Sequence, residues 1–145
     1  MNNSRFPVWW DTSITLYNKY EDNRGEVTWY RRVIEGCFWK YVGDQVRVAD
    51  RLLSTEDTVV RIPESSDFLE SYEWKQGDRT SYFTVQRGDI VIRAEVEDEI
   101  DEYTKGQRAT DLLNKYRDIG CIEVAEWTND TGAGRVHPHY RIKGV

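Results

Sequence analysis

Between residues 87 and 102 the chain reads RGDIVIRAEVEDEIDE, and the alternation in this stretch narrows the fold more than any other feature. Gly88-Asp89 is a turn signal. Beyond it Ile90, Ile92, Ala94 and Val96 alternate with Val91, Arg93, Glu95 and Glu97, the period of two expected of a strand with one buried face. The strand runs into an acidic tail, with six acids and no base from Glu95 to Glu102. A β-rich architecture and a concentrated negative charge are thus written in one segment.

The rest of the chain reads the same way. Strands are expected at residues 12–18, where Ile14 and Leu16 share a face, and at 28–42, rich in Val, Trp, Tyr and Phe. Gly36 in the middle of the second stretch suggests a bulge or bend. Gly43-Asp44 and residues 54–57 read as turns, with a returning strand at 58–62 that stops at Pro63. A short helix is expected at 64–74, capped by Ser65 or Ser66. A second is expected at 110–119, with Thr110 as its N-cap and Gly120 as its stop. Further strands fall at 82–85, 121–127 and 139–143, and 129–134 (NDTGAG) reads as a loop tip. Turn signals recur about every 8–12 residues, the spacing of a sandwich or barrel. The expected fold is mainly β: a small barrel or sandwich of about seven or eight short strands with two short helices. Residues 1–8 read as a flexible N-terminal arm and 9–145 as a single domain.

Composition excludes several classes. Six Trp, nine Tyr and four Phe in 145 residues are too many aromatics for a disordered chain. A net charge of -6, from 20 bases and 26 acids, lacks the basic footprint of a general nucleic-acid binder. No apolar run approaches the roughly 18 residues of a membrane span, and no secretory signal opens the chain, so synthesis in a cytoplasm is expected.

Candidate chemistry is sparse. Glu95, Glu97, Asp98, Glu99, Asp101 and Glu102 are the residue types that ligate a hard cation or supply paired catalytic carboxylates, but no metal-loop spacing accompanies them. A solvated acidic edge, which also protects a strand from wrong pairing, is the plainer reading. Cys37, Cys121, His137 and His139 have the composition of a zinc site, but the two cysteines lie 84 residues apart rather than as a close pair. They read instead as free thiols. TGAG at 131–134 lacks the GK[ST] of a phosphate loop, and no nucleophile motif occurs. No catalytic residue, metal or cofactor is therefore expected. Trp9-Trp10 reads either as the cover of a barrel end or as a partner anchor.

Taken together, WWDTSITLYNKYED, GCFWKYV, RGDIVIRAEVEDEIDEYT, TDLLNKY and HYRIKGV resemble small proteins of tailed bacteriophages and prophages of Gram-positive bacteria, similar in position and size to head–tail connector or minor capsid proteins. The resemblance runs from Trp9 to Val145 and rests on overall pattern. It implies a structural virion protein, made in the bacterial host cytoplasm. That protein would assemble as a ring with itself and contact a portal, adaptor or tail neighbour. It carries over no catalytic residue. In such a ring the six acids become a DNA-channel or subunit-facing edge past which DNA slides without specific binding. A tail-terminator or other tail component is the alternative within the virion. A small metal-dependent enzyme using residues 95–102 is the alternative outside it.

Overall fold

β1 (Thr12–Glu21) is the strand around which the chain closes. Ile14 and Leu16 point one way and Thr15 and Tyr17 the other, and all four are buried, so over these residues neither face of the strand meets water. Its two edges pair antiparallel with β2 (Val27–Val48) and β4 (Ile90–Ile92). β3 (Arg51–Pro63) follows β2, and β5 (Cys121–Asp130) and β6 (His139–Gly144) complete the set. The order β1-β2-β3-β6-β5-β4 is a closed barrel. Two three-stranded meanders, β1-β2-β3 and β4-β5-β6, thus join at both edges, and every ladder is antiparallel. The computed structural model describes residues 6–48, 51–132, 134 and 136–145, with backbone alone at 42–48 and 51–57.

The expected barrel is present, with six strands among the described residues rather than seven or eight. The difference lies in three places. Gly43-Asp44 and residues 54–57 do not turn: Gly43 pairs with Glu56 and Asp44 with Thr55 inside one continuous ladder that runs from Phe38↔Arg61 to Val48↔Arg51. Residues 82–85 form no strand and make only a single bridge, Phe68 to Phe83. The remaining ladder position is taken by a side chain. Asn18 donates from Nδ2 to the Thr84 carbonyl (2.7 Å) and accepts the Thr84 N–H at Oδ1 (3.2 Å), which satisfies both backbone groups of a buried residue.

Gly36 does mark a bulge. Thr12 faces Cys37 and Ile14 faces Ile34, so β2 carries one residue more than β1 there, and Gly36 takes φ +74. The same point is where β2 changes partner, from β1 up to Cys37 to β3 from Phe38 onward. At the far end of the chain Gly144 closes the barrel seam against β5. A Cβ there would lie 2.6 Å from the Glu123 carbonyl oxygen, so only glycine fits.

Helix α1 covers Ser71–Gln76, shorter than the expected 64–74. The segment before it is held extended by Phe83 N–H to Asp67 O and Leu69 N–H to Phe83 O, both 2.9 Å, while Phe68 stacks on Tyr140 at 4.0 Å. Phe68 reaches the barrel core from extended backbone, and the tertiary contact overrides the helical spacing. Helix α2 covers Ala109–Lys115, starting after Arg108 rather than Thr110 and ending before 119. No described helix is long and apolar enough to cross a membrane.

Two cores result. Ile14, Leu16, Val60, Ile62, Val91 and Ile142 belong to the barrel interior. Tyr17, Trp29, Ile90, Ile92, Ile100 and Leu112 form a second cluster on the outside of β1, β2 and β4, under residues 93–120 that connect β4 to β5. The alternation of residues 90–97 therefore has a different cause from the one expected. Its apolar face, Ile90, Ile92, Ala94 and Val96, packs in the outer cluster, while Val91 fills the barrel. The strand is buried on both faces over its three ladder residues.

Candidate functional site

After Ile92 the backbone leaves the ladder but stays pinned to it by side chains. Arg93 N–H bonds the Gly120 carbonyl at 2.8 Å. Thr15 Oγ1 donates to the Ala94 carbonyl (2.7 Å) and accepts the Val96 N–H (3.0 Å). Arg31 Nε donates to the Val96 carbonyl at 2.6 Å and the Tyr17 hydroxyl to the Asp98 carbonyl at 2.6 Å. Burial drives the Tyr17 phenol pKa well upward, so that hydroxyl stays a donor across the working pH range.

The six acids divide. Asp98 accepts Lys115 Nζ at 2.7 Å and the Tyr116 hydroxyl at 2.5 Å, and those two bonds hold its carboxyl below the usual range. Asp101 accepts the Thr104 hydroxyl (2.7 Å) and the Tyr103 N–H (2.9 Å) inside a tight turn, with the same downward effect. Glu102 Oε1 accepts Trp29 Nε1 at 3.1 Å and the Ala109 N–H at 3.0 Å, so it satisfies the first amide of α2 and an indole of β2 together. Glu95, Glu97 and Glu99 remain exposed, on alternate residues of an extended segment, with neighbouring carboxylates about 7 Å apart along one side. The segment is thus three structural acids and a row of three solvated ones. Among the described residues no three His, Cys, Asp or Glu side chains come together as a metal site.

The two tryptophans also divide. Trp10 is 7% exposed; it stacks on Phe6 at 5.0 Å and meets Phe38 and the edge of His139 at 5.9 and 5.7 Å. Trp9 is 64% exposed beside the still more open Val8. One residue of the pair covers a barrel end and the other faces outward. Of the arm expected at residues 1–8, 1–5 lie outside the described residues. The two cysteines are free thiols; burial raises Cys37 and pushes Cys121 up to about 12, so neither is a reactive thiolate.

Sequence reading missed Asp89. Its carboxylate is fully enclosed and accepts Asn18 Nδ2 (2.8 Å), Lys19 N–H (3.0 Å), Gln86 N–H (2.8 Å) and Gln86 Nε2 (3.3 Å). Burial raises its pKa and the donors pull it partly back, leaving it at about 7. Asp89 and Asn18 tie the β4 turn to β1 and to residue 84, a structural task with no open ligand space.

The remaining feature is a backbone one. From Val42↔Asp57 to Val48↔Arg51, β2 and β3 pair only with each other among the described residues, because the β1 ladder ends at Cys37 and the β6 ladder at Thr58. A two-stranded ribbon of seven pairs, about 23 Å long at 3.3 Å per residue, extends past the last residues that the other strands reach.

No curated protein and no solved structure matches this chain. The sequence matches Family of unknown function (DUF6751) over residues 9–145, which includes every strand of the barrel. The chain belongs to that family.

Proposed function

We propose that the chain is a structural component of a tailed-phage or prophage particle, a head–tail connector of the head-completion or stopper kind that acts by assembling into a ring. It works without a catalytic site or cofactor. The observation that carries this reading is the ribbon. A two-stranded hairpin on its own is marginal in water, and its outer edges are templates for pairing, so its natural use is contact with another subunit. A closed barrel supplies a rigid body with no free edge of its own, from which such an arm reaches a neighbour. The resemblance of the sequence to phage connector proteins supports the site of action: the neck, between portal or adaptor and tail.

The row Glu95, Glu97 and Glu99 fits the same role. Solvated carboxylates facing a channel repel phosphates, so DNA passes without sticking. Asp98, Asp101 and Glu102 drop out of that edge because their oxygens are engaged within the chain. Inactivating the gene in the phage or prophage that carries it tests the proposal. The expected lysate contains separate heads and tails, and restoring the gene rejoins them. Infectious, joined particles from the inactivated gene would rule the reading out.

A further inference from the structure

We infer that the ribbon pairs edge to edge with the ribbon of a second copy, the β2 edge of one subunit against the β3 edge of the next. The inference rests on the ring reading above and names the contact that builds the ring.

The backbone alone defines the contact. In an antiparallel pair every second residue turns both its N–H and its C=O away from its partner. At 42–48 of β2 and 51–57 of β3 those outward groups face no other strand among the described residues. The two edges are equally long, seven residues each, and so match in extent.

They also match in direction, for one arrangement. If neighbouring copies are related by rotation about an axis along which the ribbons run, the ribbons point the same way. The β2 edge of one copy then lies beside the β3 edge of the next, and these run in opposite directions. The new ladder is antiparallel, like every ladder in the barrel. A two-fold pairing of β2 edge with β2 edge would also be antiparallel, but it leaves both β3 edges open and stops at two copies. The β2-to-β3 contact uses each edge once and continues until it closes, the property of a heterologous interface that makes a ring. The result is a collar of ribbons whose strands alternate β2, β3, β2, β3.

Proline tests this with the full chain, because it removes one N–H from a ladder. Gln45 and Ser54 are cross-strand partners, and so are Val46 and Leu53; one of these pairs turns its N–H groups inward and the other outward. The four variants are Gln45→Pro, Val46→Pro, Leu53→Pro and Ser54→Pro. Amide exchange on each monomer identifies the outward variants as those that keep the ribbon protected, and thermal melting confirms that the barrel is folded. Native mass spectrometry and sedimentation then read assembly.

The wild-type chain is expected to form a closed ring. The outward β2 variant alone and the outward β3 variant alone each stay monomeric, with self-association weakened at least tenfold. Mixed, they form a discrete dimer and nothing larger, since each brings the edge that the other lacks. Rings from either outward variant alone, or a mixture that stays monomeric while wild type assembles, would overturn the inference. So would a wild-type chain that stays monomeric at every concentration. If edge-blocked variants build rings but a chain lacking the ribbon does not, edge pairing fails while the ring reading stands. Joined particles from a gene-inactivated phage sink the ring reading whatever the edges do.

Discussion

Asp89 shows how a single residue holds this fold and how its charge sets a pH dependence. Four N–H donors converge on a carboxylate with no exposure, yet burial raises its pKa to about 7, above the roughly 4 of an unfolded chain. The folded state therefore holds a proton that the unfolded state has lost between those two values. The contribution of Asp89 is full below about pH 4 and is lost as pH rises through about 7, a swing on the order of 4 kcal/mol. Asp89→Asn removes that titration. Urea unfolding of both chains is expected to show the wild-type advantage largest at about pH 4 and below and narrowing steadily to about pH 7; a difference that does not change with pH would contradict the assignment. Asp98 and Asp101 act in the opposite sense: their lowered values stabilise the fold at neutral pH, and that stabilisation fades in acid. At the barrel end, Trp10→Ala is expected to cost about 3–5 kcal/mol and Trp9→Ala less than about 0.5 kcal/mol by the same measurement. None of this was legible residue by residue. Gly88-Asp89 looks like an ordinary turn, and its partner Asn18 lies 71 residues away, beyond the reach of local pattern. Likewise WW gives no sign of which ring turns inward.

At the scale of elements, local pattern served best where strand and solvent meet in the usual way. β1, β5 and β6 contain the expected 12–18, 121–127 and 139–143, and the Gly36 bulge sits where the glycine suggested. Pattern failed where long-range pairing competed with it. Gly43-Asp44 has turn chemistry, but an unbroken β2–β3 register carries it straight through. The acidic segment keeps its period of two to residue 100 without a ladder, because Thr15, Arg31 and Tyr17 side chains stand in for a neighbouring strand. Its division into structural and solvated acids predicts two different mutants. Glu102→Ala strands the Trp29 indole N–H and the first amide of α2, and is expected to destabilise by about 1–3 kcal/mol in urea unfolding. Replacing Glu95, Glu97 and Glu99 together by Gln is expected to shift stability by less than about 0.5 kcal/mol per site. Equal costs for the two mutants would mean that the segment is not divided as described. Replacing residues 42–57 by a two-residue turn joining Tyr41 to Thr58 is expected to leave the melting of the barrel intact and to abolish self-association, as read by sedimentation.

The whole molecule is a closed barrel wearing one outer layer and one arm. The barrel class was legible because strand-length apolar runs and turn residues recur along the chain with no helix-period stretch long enough to compete. The outer layer was not, since a strand buried on both faces and a strand with one wet face both alternate when the second cover is partly polar. Nor was the arm, whose length depends on where neighbouring ladders end rather than on its own sequence. In the proposed ring the net charge of -6 would matter for assembly: exposed Glu95, Glu97 and Glu99 would repeat in every copy and multiply into one acidic band. The proposed ring at the head–tail joint is open to electron cryo-microscopy of the neck in intact particles. A ring of six-stranded barrels is expected between the portal side and the tail, with neighbouring ribbons joined into a collar. A complete neck, in infectious particles, with no density that this barrel fits would contradict it.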